Sequence, residues 1–143
     1  MTVTRILAVK GHDVVTTQPH RTLEEVSRLL SERQIGAVVV TGADREVLGI
    51  VSERDIVRAV ARGGAASLHD AVSKHMTVRV TTTTRDATVD SLMEVMTAGR
   101  FRHVPVVENG RLAGLVSIGD VVKHRLEEFE TEHRALKDYI ATA

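Results

Sequence analysis

The sequence predicts an α+β fold made of two β-α-β-β-α repeats related by a pseudo-two-fold axis, with an extended helix at the C-terminal end. Three observations predict it. Gly49-Ile-Val-Ser52-Glu-Arg-Asp55-Ile-Val-Arg58 returns 65 residues later as Gly114-Leu-Val-Ser117-Ile-Gly-Asp120-Val-Val-Lys123. Self-similarity at a fixed offset marks a fold assembled from copies of one supersecondary unit. Upstream, Thr22-Leu-Glu-Glu-Val26 matches Thr88-Val-Asp-Ser-Leu92, and Ile35-Gly-Ala-Val-Val-Val40 matches Phe101-Arg-His-Val-Pro-Val106, at an offset of 66. A one-residue deletion in the hairpin turn, where length changes are tolerated, reconciles the two offsets. Thirdly, Val122, Leu126, Phe129, His133, Leu136 and Ile140 recur at alternating spacings of four and three, the period of a coiled-coil seam.

The elements follow in order from local chemistry. Asp13 to Thr16 reads as the first strand. Thr22 with Glu25 three residues on is a capping box opening a helix whose apolar face is Leu23, Val26, Leu29 and Leu30, ending near Gln34. The β-branched run Ala37–Thr41, the turn Gly42–Arg45 and the strand Val47–Val51 make a β-hairpin. Ser52 caps a second helix carrying Ile56, Val57, Val60 and Ala61. Residues 8–62 form the first repeat, 63–73 a linker opening on Gly63-Gly64-Ala-Ala-Ser67, 74–125 the second repeat and 126–143 a C-terminal helical extension. A helix from Gly119 to about Ile140 is roughly 30 Å long, more than the repeat needs. Its outer half buries the seam either against its own subunit or, in the preferred reading, against a second chain. His133 within the seam raises the prospect of pH sensitivity, which an exposed histidine would not show.

Composition excludes several function classes. The chain has 143 residues, 43% of them hydrophobic, enough for a real core shared by two half-domains. Nineteen basic and nineteen acidic residues cancel, and only Phe101, Phe129 and Tyr139 offer aromatic faces. The charge footprint and stacking platform of a nucleic-acid binder are both missing. There are no cysteines, so disulfide and thiolate chemistry are out. The apolar run among the first eleven residues is too short for a signal peptide, and no span of about 18 apolar residues occurs. These features predict a soluble cytoplasmic protein without membrane contact.

The repeated unit, its Gly-apolar-apolar-Ser-x-x-Asp ending and the Phe101-Arg-His-Val-Pro-Val106 segment together resemble a pair of CBS domains, the Bateman module. The resemblance covers roughly residues 8 to 125. It extends to stand-alone bacterial CBS-pair proteins and to the regulatory insert of inosine-monophosphate dehydrogenase. The catalytic barrel of that enzyme has no counterpart, because the repeats use every stretch of the chain.

What the resemblance implies is a regulatory, non-catalytic, energy-sensing module that binds adenosine nucleotides in clefts between the repeats. AMP is the leading ligand, with NAD(H) or ATP as the alternatives. The implied site residues are Thr16, Gly36, Ala37, Ser52, Arg54 and Asp55 in the first repeat. In the second they are Thr82, Arg102, His103, Val104, Pro105, Ser117, Ile118 and Asp120. CBS pairs commonly form disc-like homodimers, which implies a homodimer here and an unidentified regulated protein.

Elementary chemistry agrees with the resemblance. One ionised carboxylate accepts both hydroxyls of a ribose diol, which suits Asp55 and Asp120. Ser52 and Ser117 open helices, where unpaired N–H groups and the positive end of the helix favour phosphate. The plainer reading is a helix cap with an acid in its first turn, and its repetition in matched register favours a site. Arg102-His103 stands where the first repeat has Gly36-Ala37, and in related modules a basic residue there reaches the phosphate. The alternative is a solvated arginine beside a half-buried histidine. The asymmetry suggests clefts of different preference, one for a monophosphate and one for a larger adenosine compound. Pro105 implies an edge position or a strand N–H that is not needed. Lys10, Lys74 and His75 are weaker phosphate candidates.

Nothing else has catalytic spacing. The histidines at 12, 20, 69, 75, 103, 124 and 133 lack the pattern of a zinc site. No phosphate loop, dinucleotide fingerprint or nucleophile elbow occurs. The competing function class is a constitutive scaffold using the dimer surface and C-terminal helix; a nucleotide hydrolase is the third and weakest.

Overall fold

Two hydrophobic cores organise the chain, and each is closed by a segment from outside its own repeat. The structure is a computed structural model that describes residues 1–11 and 13–142; His12, among the histidines weighed above, lies outside the described residues. The chain opens on α1 (Val3–Lys10), followed by β1 (Thr16–Thr17), α2 (Leu23–Arg33), β2 (Ala37–Thr41), β3 (Val47–Ser52) and α3 (Glu53–Gly63). Two short 3-10 turns at Ala65–His69 and Val72–Lys74 lead to α4 (Val89–Gly99), β4 (His103–Glu108), β5 (Arg111–Ser117) and α5 (Ile118–Thr142). The architecture is the expected α+β pair of repeats with a long final helix.

The repeats match in their fine structure. Thr22 accepts the Glu25 N–H at 3.1 Å, and Thr88 accepts the Ser91 N–H at 3.1 Å. The Glu25 carboxylate takes the Thr22 hydroxyl at 3.4 Å rather than its backbone N–H, so the cap is there without the full reciprocal box. Gln34 (φ 54) and Arg100 (φ 57) end their helices in the left-handed region, the usual way to satisfy the last carbonyls. Both hairpins shift register at one place, between Val40 and Thr41 and between Val106 and Val107. The length difference sits at their tips: a 3-10 turn at Ala43–Arg45 in one, and in the other Asn109-Gly110, both with positive φ, as a tight primed turn requires.

The first strand is shorter and later than Asp13–Thr16. Only Thr16 and Thr17 pair, with Val39 and Val40 of β2. That parallel register puts Asp13 opposite Gly36, before β2 begins, so it has no strand partner. In the second repeat the same ladder shrinks to one bridge, Thr83 to Val106. Thr83 donates to the Pro105 carbonyl and accepts from the Val107 N–H, both at 2.9 Å. The next donor along β4 would be residue 105, and proline has none. Pro105 is thus a strand position whose N–H is not needed.

α1 is the element that the sequence reading did not anticipate. Its Val3, Ile6 and Leu7 are buried with Val89, Leu92, Met96, Val104, Val106, Val116 and Val121 of the second repeat. Conversely, Val72, Leu68 and Met76 pack with Leu23, Val26, Leu30, Val38, Val40 and Val51 of the first. Backbone bonds repeat the exchange. Val3 donates to the Ala87 carbonyl at 3.0 Å and Val72 to the Arg21 carbonyl at 2.7 Å. A full side-chain burial of this kind contributes about 1.5–3 kcal/mol, so α1 is integral to the second core.

The outer helices are apolar where they meet no neighbour. In α3 only Ala59 is buried, while Val57 and Val60 face outward. In α5 only Val121 and His124 are buried. Leu126, Phe129, Leu136 and Ile140 are each more than half exposed, and His133 is exposed too. The seam is not packed against its own subunit.

Candidate functional site

Each repeat ends its hairpin in a serine that begins a helix. Ser52 accepts the Asp55 N–H at 3.3 Å, and the Asp55 carboxylate accepts the Ser52 N–H at 2.8 Å and its hydroxyl at 3.1 Å. Ser117 accepts the Asp120 N–H at 3.1 Å, and the Asp120 carboxylate accepts the Ser117 N–H at 2.8 Å. The capping reading of Ser-x-x-Asp is therefore realised in both copies. It leaves carboxylate lone pairs for a further donor.

The starts of β2 and β4 sit beside these caps. Ala37 pairs with Ser52 and His103 with Ser117. The Gly36 carbonyl accepts the Glu53 N–H at 2.9 Å, and the Arg102 carbonyl accepts the Ile118 N–H at 2.8 Å. The two repeats meet here: a Cβ on Gly36 would lie 3.6 Å from His103 Cε1 and 3.7 Å from Glu53 Oε1. Burial holds the His103 imidazole below its ordinary value, Lys10 and Arg102 push the same way, and Asp120 and Glu53 oppose them. Charged groups from α1, α3 and α5, with Arg102 just ahead of β4, thus converge on one imidazole.

Lys10 makes the second site unlike the first. Its ammonium donates to the Asp120 carboxylate at 2.6 Å and to the Leu115 carbonyl at 2.6 Å. Burial alone would raise the Asp120 carboxyl, but the hydrogen bonds from Lys10 and Ser117 hold it below the usual carboxylate value. In the first repeat the equivalent carbonyl, that of Ile50, is taken by the Thr77 backbone N–H at 2.8 Å. Among the described residues no basic group forms an ion pair with Asp55.

The other expected residues are dispersed. Thr16 lines a groove with Thr17, Gln18, Arg21, Glu25 and Arg28 that includes neither Ser52 nor Asp55. Arg54 is exposed on the outer side of α3 beside Val57 and Arg58. Thr82 is exposed just before the Thr83 bridge. Val104 is wholly buried in the second core, so only its backbone can meet a ligand, and Pro105 is buried beside it. Arg102 and Ile118 line a cleft with Gly119, Val122, Lys123 and Leu126. His75 and Lys74 turn to Asp70, at 2.8 and 3.7 Å. Lys10, expected only as a weaker phosphate candidate, reaches Asp120, and Glu53, not among the expected residues, lies beside Gly36 and His103; only the fold of α1 reveals the Lys10 contact. Among the described residues no cluster of metal-ligating side chains occurs.

Two matched caps at the meeting point of two matched hairpins are the distinguishing geometry, and the sequence profile of the CBS domain matches residues 8–62 and 71–127. The chain belongs to the CBS-domain family. It is 57% identical to a CBS-domain containing protein of known structure from Agrobacterium tumefaciens, with a TM-score of 0.84 over 87% of this chain and 99% of that one. A curated relative is CBSX3, a mitochondrial CBS domain-containing protein of Arabidopsis thaliana, 33% identical over 83% of this chain; the CBS pair here spans 60% of that protein's length. At lower identity the fold is shared with the CBS pair of MJ0100, solved with 5′-methylthioadenosine and S-adenosylmethionine (22%, TM-score 0.80, 90% of this chain and 98% of that one). It is shared likewise with CBSX2, solved with AMP (20%, TM-score 0.71, 80% and 88%). No helix among the described residues is long and apolar enough to cross a membrane.

Proposed function

We propose that this CBS pair is a non-catalytic, cytoplasmic regulatory module that binds an adenosine nucleotide between its repeats and passes its state to a partner protein. The observation that carries the reading is the duplicated serine–aspartate cap beside Gly36 in one repeat and His103 in the other. In this reading Asp55 and Asp120 accept ribose hydroxyls, the α3 and α5 starts at Ser52 and Ser117 receive phosphate, and Arg102 with His103 supplies charge to it. The adenosine ligands of the MJ0100 and CBSX2 pairs support the ligand class. AMP is the ligand proposed first; NAD(H) and ATP are the alternatives. The outward apolar residues of α3 and α5 support a homodimer through which the signal passes. For a switch, the ligand must bind one arrangement of the repeats better than another.

A scaffold reading draws on one specific observation, the exposed seam of α5. A thermal-shift panel of AMP, ADP, ATP, NAD, NADH and S-adenosylmethionine on nucleotide-free protein separates the two. A ligand at about a hundredfold its dissociation constant adds on the order of 2.7 kcal/mol of apparent stability. A selective rise in midpoint supports the sensor, and silence across the whole panel supports the scaffold.

A further inference from the structure

We propose that Lys10 is a latch on the second cleft and the residue that makes the two clefts unequal toward ligands. The inference rests on the reading of Asp120 as a ribose acceptor and adds to it a competitor from within the chain. The Lys10 ammonium holds the Asp120 carboxylate and the Leu115 carbonyl, each at 2.6 Å. A ribose hydroxyl that comes to Asp120 must share or displace that donor. The first repeat closes the same place differently, with the Thr77 N–H on the Ile50 carbonyl at 2.8 Å. That backbone donor engages no carboxylate, so Asp55 keeps only its own cap.

The latch is held by its helix and released by its side chain. Val3, Ile6 and Leu7 anchor α1 in the second core, so the Lys10 backbone stays in place. The ion pair itself is partly open to water, with the lysine and aspartate side chains 34% and 24% exposed. Gly11, at φ +97 with open space around it, ends α1 immediately beyond the lysine. The competition is directional in ligand chemistry. A neutral nucleoside brings only hydroxyl donors to Asp120 and must overcome Lys10. A nucleotide brings phosphate that the displaced ammonium can still meet, since lysine is a compact cation with three donors on a flexible stem. Lys10 therefore favours phosphorylated over unphosphorylated adenosine compounds in the second cleft.

The test is isothermal titration of adenosine and of AMP into the parent, Lys10→Met, Lys10→Arg and Asp120→Ala proteins, with folding checked by circular dichroism. A partly exposed ion pair has a modest worth, so Lys10→Met is expected to tighten adenosine binding roughly twofold to fivefold. It should narrow the preference for AMP over adenosine, while Lys10→Arg stays near the parent and Asp120→Ala loses the responding site. Adenosine binding that is unchanged or weaker in Lys10→Met overturns the latch alone. Nucleotide binding that ignores Asp120→Ala overturns the ribose-acceptor reading, and the latch with it.

Discussion

Leu7 fills the space that a side chain at residue 114 would need: a Cβ on Gly114 would come within 2.7 Å of Leu7 Cδ2. Gly49 stands in the same relation to the opposite segment, where its Cβ would meet Met76 Sδ at 2.7 Å and the Thr77 carbonyl oxygen at 2.8 Å. The glycine that opens each repeated motif is thus a seat for the segment that closes its core. Local sequence similarity and long-range packing have one cause.

The two seats differ in what must yield. At Gly114 the neighbour is the tip of a leucine side chain, which can rotate; at Gly49 it includes backbone. Overpacking of this kind costs about 1–3 kcal/mol. Gly49→Ala is expected at the upper end and Gly114→Ala at the lower, read from urea midpoints at constant slope. Equal losses, or a larger loss at Gly114, would contradict the packing assigned to the two segments.

His103 gives the protein a signed pH response. Its value lies below the ordinary 6.5, so between that lowered value and 6.5 the unfolded chain binds a proton that the folded chain does not. Stability from this group is complete above 6.5 and falls as pH drops through that window. Asp120, lowered from 3.8, contributes stability at neutral pH that is lost as pH falls from 3.8 through its own lowered value. A histidine NMR titration should place His103 below 6.5, and His103→Asn should flatten the stability profile there. If phosphate lies beside the ring, AMP should raise the midpoint. A midpoint at or above 6.5 in the free protein would rule out this account of the ring.

The outer turns of α5 can be changed without touching either core, because Leu136 and Ile140 are 58% and 65% exposed. Leu136→Glu with Ile140→Glu should leave the unfolding free energy of the protomer within about 0.5 kcal/mol of the parent. If the seam joins two chains, sedimentation velocity should show a smaller species for the variant. An unchanged sedimentation coefficient would assign any dimer to the α3 and α5 faces nearer the repeats.

Much of this molecule was legible in the chain. The offset repeats gave both hairpins, Thr22, Thr88, Ser52 and Ser117 marked their helices, and the seam marked α5. These are signals of a few residues' reach, set by capping and periodicity. β1 begins three residues later than Asp13 and ends one residue beyond Thr16, because its extent depends on where β2 begins, which is a pairing property. α1 escaped because eight residues with no side-chain cap carry little signal alone; the helix exists by virtue of the second core. The serine–aspartate pairs were legible as chemistry, whereas the approach of Lys10 to Asp120 joins residues 110 positions apart, and only the exchanged packing of α1 brings it about.

The central claim is that the two aspartates hold a nucleotide, and titration calorimetry of AMP into the parent and into the Asp55→Ala, Asp120→Ala double variant tests it most directly. Each substitution removes the carboxylate half of a serine–aspartate capping pair, a hydrogen bond worth about 0.5–1.5 kcal/mol, so the variant is first shown to be folded at the titration temperature. Loss of charge-assisted hydrogen bonds to the ribose should weaken AMP roughly tenfold or more. A folded double variant that binds AMP as tightly as the parent would contradict the account.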